Sequence, residues 1–279
     1  MAILLVVLVG CGPALAAPKP DAMLDAGFAE MYELDFSNAR TSFDSYMQEH
    51  PEDPMGEAAM AASYLFEELN KQGVLSSSFF LSDKKLLGGV PNPQHDAEQA
   101  DFLRMDDKAR RMAEDILKAS PRNPNALLAL TLANGMQADY DALIVKRDIP
   151  CLVLLRQTQQ SARLLLSVNP NASDAYLALG AANYIIGCLP AYKRFFLGIA
   201  GIQGNRGLGM RQLERASANG HYLKPFAKVF LALAALRERQ PQLARSLLSQ
   251  LHRNFPQNPE FSQELAKLDR NRELPDVSR

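Results

Sequence analysis

The chain of 279 residues has no tryptophan, only three cysteines and four histidines, and a formal charge of −1. Each scarcity narrows the function. The absence of Trp counts against a Trp-lined ligand site. A balanced charge gives none of the broad basic surface that a dedicated nucleic-acid binder needs. His50, His95, His221 and His252 stand far apart, with no HExxH, no CxxC and no pair at helical spacing. No metal centre is therefore expected, and histidines in last helical turns suit the negative end of the helix dipole. The apolar run Ile3–Val9 is too short to span a bilayer. What remains is ordinary globular material, 47% hydrophobic and 22% charged, enough to bury a core as one domain.

The first residues carry two overlapping patterns. Ile3–Val9 followed by Ala14-Leu15-Ala16 reads as a secretory signal over residues 1–17. Leu8-Val9-Gly10-Cys11 reads as a lipobox, with the signal ending at Gly10 and Cys11 acylated. Both predict export to the periplasm or cell envelope, soluble in one case and lipid-anchored in the other, although no Lys or Arg precedes Lys19. In an oxidising compartment Cys151 and Cys188 are then an even pair, either bridged or buried as free thiols.

From residue 22 to 272 a spacing repeats. Ala244, Leu248, Leu251 and Pro256 recur as Ala39, Phe43, Tyr46, Pro51 and as Ala109, Ala113, Ile116, Pro121. Looser copies are Thr158, Ala162, Leu165, Pro170 and Gly209, Leu213, Ala216, His221. Apolar residues at intervals of three and four make one helical face, and the prolines stop the helix. Five helix pairs follow: 22–34 with 37–49, 55–71 with 96–119, 126–143 with a helix from Pro150 to before Pro170, 174–186 with 208–220, and a compact fifth pair. A capping helix over 260–270 covers the apolar end. Ser37 and Asn125 are the expected caps of their helices. In the three central pairs the turn is replaced by insertions, 73–93, 144–151 and 187–207.

This pattern resembles the tetratricopeptide repeat family, whose unit is a helix–turn–helix of about 34 residues. Leu231, Ala232, Ala244, Leu248, Leu251 and Pro256 carry the resemblance in pair five, and Gly27, Ala39, Phe43, Tyr46 and Pro51 carry it in pair one. It implies an all-α, right-handed solenoid, a concave surface that binds a protein or peptide partner, no enzymatic activity and no cofactor. A weaker likeness, through Gly180, Asn183, Pro190, Gly201, Gly204, Asn205, Arg206 and Gly209, is to the eukaryotic tetratricopeptide group linked to inclusion-body clearance and lipid droplets. It implies only that the third insertion is a structured element.

No catalytic set assembles. Ser76-Ser77-Ser78 has no base beside it, Gln203–Gly209 lacks the strand and the Lys-Ser/Thr ending of a phosphate loop, and the adjacent acids Glu67-Glu68 and Asp106-Asp107 read as solvated charges. Arg237 reads as exposed. One pattern remains, a basic doublet beside apolar residues in each insertion: Lys84-Lys85, Lys146-Arg147, and Lys193-Arg194 before Phe195-Phe196. Equivalent turns of stacked repeats share one edge, so these residues are candidates for binding a partner or a membrane surface. Two readings result: an exported scaffold for a protein or peptide, or a lipid- or hydrophobic-ligand binder in which the insertions roof the groove.

Overall fold

The computed structural model describes residues 20–82, 84–85, 89–90, 97–199 and 202–273. Residues 1–17, with Cys11, lie outside them. The described residues form helices α1 (Pro20–Tyr32), α2 (Phe36–Glu49), α3 (Pro54–Lys71), α4 (Ser77–Phe80), α5 (Ala97–Ala119), α6 (Pro124–Tyr140), α7 (Asp148–Val168), α8 (Ala175–Cys188), α9 (Ala191–Ile199), α10 (Arg206–Asn219), α11 (Lys224–Arg237), α12 (Pro241–Asn254) and α13 (Pro259–Glu273). The pairs are α1/α2, α3/α5, α6/α7, α8/α10 and α11/α12, each second helix packs on the next first helix, and α13 covers the last pair. This is the all-α helical-repeat architecture expected.

The repeated spacing is the buried spine of each second helix. Ala39, Phe43, Ala109, Ala113, Ala162, Leu213, Ala216 and Ala244 are fully buried, and Tyr46, Leu165, Leu248 and Leu251 nearly so. Small residues let neighbouring backbones approach, and apolar burial at roughly 25 cal/mol per Å² drives the stacking. One close approach is at α8/α10. A Cβ on Gly209 would lie 2.6 Å from Tyr184 N and 2.9 Å from Gly180 O. Gly209→Ala is therefore expected to cost about 2–3 kcal/mol in urea unfolding, because two backbones must part. Gly198→Ala in α9, where a Cβ meets nothing within 4 Å, should be neutral or gain up to about 1 kcal/mol of helix propensity. Equal losses from the two would contradict the α8/α10 contact.

Four of the five first helices share one ending. Leu34, Gly73, Lys146 and Arg239 follow α1, α3, the α6 extension and α11 with φ near +60°, the left-handed conformation that closes a helix. Asp35, Val74 and Gln240 donate their N–H groups five residues back, to Glu30, Leu69 and Ala235. After α6 a π turn, Asp141–Val145, adds one residue, and Arg147 N reaches Asp141 O six residues back. The second insertion is thus not a loop. It is a helix extension that ends as in pairs one and five.

Cap positions differ from the sequence reading in two places. Asp35 caps α2 through Asn38 N, rather than Ser37, and Asn123 caps α6 through Ala126 N, rather than Asn125. The junctions Asp53-Pro54, Asn123-Pro124 and Asn258-Pro259 place an acceptor before a proline at the first turn, which needs no N–H there.

The stack curls until its ends meet. Phe28 of α1 stacks on Tyr222 at 5.0 Å, and Tyr32 donates from its hydroxyl to Tyr222 O at 3.0 Å. Glu33 accepts from the N–H groups of Gln257 and Asn258, while the Asn258 amide donates to Tyr32 O at 2.8 Å. His221 pairs with Asp25 at 2.8 Å, a tie between pairs one and five rather than a helix-dipole contact. Pair one is therefore locked onto pair five.

Candidate functional site

A helical-repeat protein offers two surfaces to a partner, its concave face and its turn edge, and here the chain treats them oppositely. The concave face is filled from within. Phe66 of α3 meets Phe226 of α11 at 4.9 Å, and Tyr32 sits between Phe66 and Phe255. The first insertion supplies the remaining ring: α4 carries Phe80 to within 5.0 Å of Phe230, which in turn touches Tyr184. Arg237 donates to Phe80 O at 2.8 Å, and Glu264 of α13 accepts from Ser77 N at 3.3 Å. Arg237 is therefore half-buried and clamps the insertion, correcting its reading as an exposed position. The apolar space left among Met31, Tyr32, Phe66, Phe226, Leu233 and Phe261 is about 40 Å³, room for on the order of one to three waters.

Buried polar side chains line the stack rather than a cleft. Tyr184 donates to Ala234 O and Glu238, and burial raises its phenol far above the ordinary range. Glu68 accepts from Gln72 and Gln99, and Gln99 accepts from Tyr140. Glu57 is buried and paired with Lys108 at 2.7 Å. Asp106 is fully buried and bonded to Arg110 at 3.3 Å; burial is the main cause that pushes its carboxyl up to about 7. Glu68 and Asp106 thus overturn the reading of both acidic doublets as solvated charges. The signal was present: Asp106 falls between Phe102 and Ala109 on the apolar stripe of α5. Among the described residues no group of His, Cys, Asp and Glu is placed to hold a metal ion, and no described helix is long and apolar enough to cross a membrane.

At the edge the first insertion touches the extension of α6, where Val90 N donates to Leu143 O at 2.8 Å. In the third insertion, Leu197 of α9 packs on the cluster of Ala182, Ile186 and Ile202, as do Leu152 and Leu155 of α7. The third insertion is structured, as expected: Asn205 caps α10, and a Cβ on Gly204 would fall 2.5 Å from Gly187 N. Its glycines serve helix contact, not phosphate. Lys84, Lys85, Lys146, Arg147 and Arg194 are exposed, as is Phe195, while the side chains of Lys193 and Phe196 lie outside the described set. Cys151 and Cys188 are both half-buried, and no disulfide joins them here.

No family model matches the sequence, and no curated protein matches it. Among solved structures the chain is similar to a thermophilic TPR protein of Thermus thermophilus, at 16% identity over 90% of this chain and 98% of that one, with a TM-score of 0.47.

Proposed function

We propose that the chain is an exported, non-enzymatic helical-repeat scaffold that binds a protein or peptide partner in the cell envelope, and that the partner engages the turn edge instead of the concave face. One observation carries the choice of surface. The groove in which such a solenoid would seat a peptide is occupied by the chain's own Tyr32, Phe66, Phe80, Phe226 and Phe230, and displacing packed rings costs several kcal/mol before any contact is gained. The same filling argues against a roofed lipid pocket, because about 40 Å³ does not admit an acyl chain. Export rests on the two N-terminal patterns.

Photo-crosslinking in the native host tests the reading. A crosslinking residue at Arg147 on the edge should trap one defined protein, and the same residue at Asn70, which lines the filled groove, should trap none. Crosslinks from Asn70 alone would return the site to the concave face. Intact mass of the native protein tests export: a start at Cys11 with lipid, or near Ala17 without it, is expected. A cytoplasmic chain that retains Met1 would overturn that part.

A further inference from the structure

The near-zero net charge conceals two opposite halves. Residues 20–145 hold 22 Asp and Glu against 10 Lys and Arg, a formal −12, and residues 146–273 hold 8 against 18, a formal +10. The halves also differ in how their charges are used. In the acidic half several are engaged locally: Glu67 by Arg40 and Lys71, Asp107 by Arg111, Asp115 by Lys118, with Asp35 and Asp53 spent on helix caps. In the basic half Arg156, Arg163, Arg194 and Arg211 are exposed and form no ion pair among the described residues. From residue 175 to residue 213 there is no acidic side chain at all.

Within that acid-free stretch α9 is built the wrong way round for a helix that only packs. Its Leu197 faces the body, against the cluster of Ala182, Ile186 and Ile202. Its rings face out: Tyr192 is 62% and Phe195 66% exposed, one turn apart. In sequence Tyr192, Phe195, Phe196 and Ile199 stand at i, i+3, i+4 and i+7, an apolar stripe on a nine-residue helix that also carries Lys193 and Arg194. Val153 at the start of α7 and Leu208 at the start of α10 are exposed as well. Two outward rings one turn apart on a helix mark a contact surface.

We infer that this face, α9 with the flanking starts of α7 and α10, docks on an anionic lipid bilayer. Two features fit a bilayer better than the other occupants. Aromatic rings beside arginines match the boundary between acyl chains and anionic headgroups, where a ring enters and a guanidinium stays at the surface. A second copy of the chain could offer only its acidic half, where Glu67, Asp107 and Asp115 are already paired and Asp35 and Asp53 cap helices. This inference is independent of the scaffold function, since a bilayer would hold the protein whether or not a partner binds the edge.

The absence of Trp provides the reporter. In the full chain carrying Cys11→Ser, which removes any acyl anchor, Tyr192→Trp creates a single fluorophore at the proposed contact. With vesicles of phosphatidylcholine containing phosphatidylglycerol, its emission should shift to the blue and its acrylamide quenching should fall. Pure phosphatidylcholine should produce neither change. Co-sedimentation should be about tenfold greater on the anionic vesicles at low salt and should fall severalfold at about 0.5 M salt, as screening shortens the reach of the basic residues. Tyr192→Ser with Phe195→Ser should lower binding about fivefold with an unchanged melting temperature, and Arg194→Ser with Arg211→Ser should do so in low salt, whereas Lys118→Ser should leave it unchanged. Equal binding to both vesicle types, or an unmoved Trp spectrum, would overturn the inference. So would binding to polyglutamate without binding to vesicles, which would assign the face to an acidic polypeptide. Self-association abolished by the same ring substitutions, without vesicle binding, would assign it to a second copy.

Discussion

Asp174→Ala should unfold at far lower urea than the wild type, with a loss of about 4 kcal/mol. The carboxylate lies buried before α8 and accepts three backbone N–H groups in a row, from His221 at 2.8 Å, Tyr222 at 3.2 Å and Leu223 at 3.1 Å. Those donors belong to the turn between α10 and α11, and removing the acceptor leaves them without a partner at about 1–3 kcal/mol each before relaxation. Gly220 makes the approach feasible, since a Cβ there would stand 2.7 Å from Asp174 Oδ1. The damage should travel, because Tyr222 and His221 also hold α1. Asp174→Asn keeps one acceptor oxygen and should lose about half as much. A loss under about 1 kcal/mol for the alanine variant would show that the turn closes without the carboxylate.

Stability should also fall as pH rises from about 4 to about 7, with the buried Asp106 as a main contributor. Its carboxyl is fully buried, with one oxygen on Arg110 and the other without a partner. Burial raises it from 3.8 to about 7; Arg110 opposes the shift, and Asp107 and Asp141 add to it. Between these values the folded protein holds a proton that the unfolded chain has lost, so each pH unit removes about 1.4 kcal/mol. The whole window amounts to on the order of 4 kcal/mol. Asp106→Asn mimics the protonated acid and should flatten this slope, while Asp139, whose carboxyl desolvation also pushes up to about 7, keeps the remainder. Urea titrations of both proteins from pH 4 to pH 8 provide the check, and parallel profiles would refute the assignment.

These two residues show which parts of the fold the sequence disclosed. The spine positions are local and periodic, so Ala39, Phe43, Ala244 and Leu251 announced the helix pairs directly. Helix endings were harder, because Leu34, Lys146 and Arg239 adopt a conformation that normally selects glycine. Only Gly73 displayed the expected residue. The role of Asp174 depends on a turn 47 residues away, which no local spacing encodes. The filling of the groove is likewise non-local: Phe80 looked like part of a loop, and only its contact with Phe230 reveals that the insertion turns inward. At the edge, the basic doublets were legible as composition, while the outward direction of Tyr192 and Phe195 required the helix to be placed.

The meeting of pair one with pair five changes what kind of object the solenoid is. An open array resembles a zipper, in which end units loosen first and each unit answers only to its neighbours. Here the bonds between Tyr32 and Tyr222, and between Glu33 and Asn258, span 190 and 225 residues of chain. They convert the zipper into a clasped bracelet. During synthesis pair one emerges first but cannot gain its final partners until the junction before α13 has left the ribosome, so high contact order is imposed on an otherwise local fold. Once shut, the clasp removes the loose ends. Glu33→Ala with Asn258→Ala should therefore loosen the first helix as well as the last.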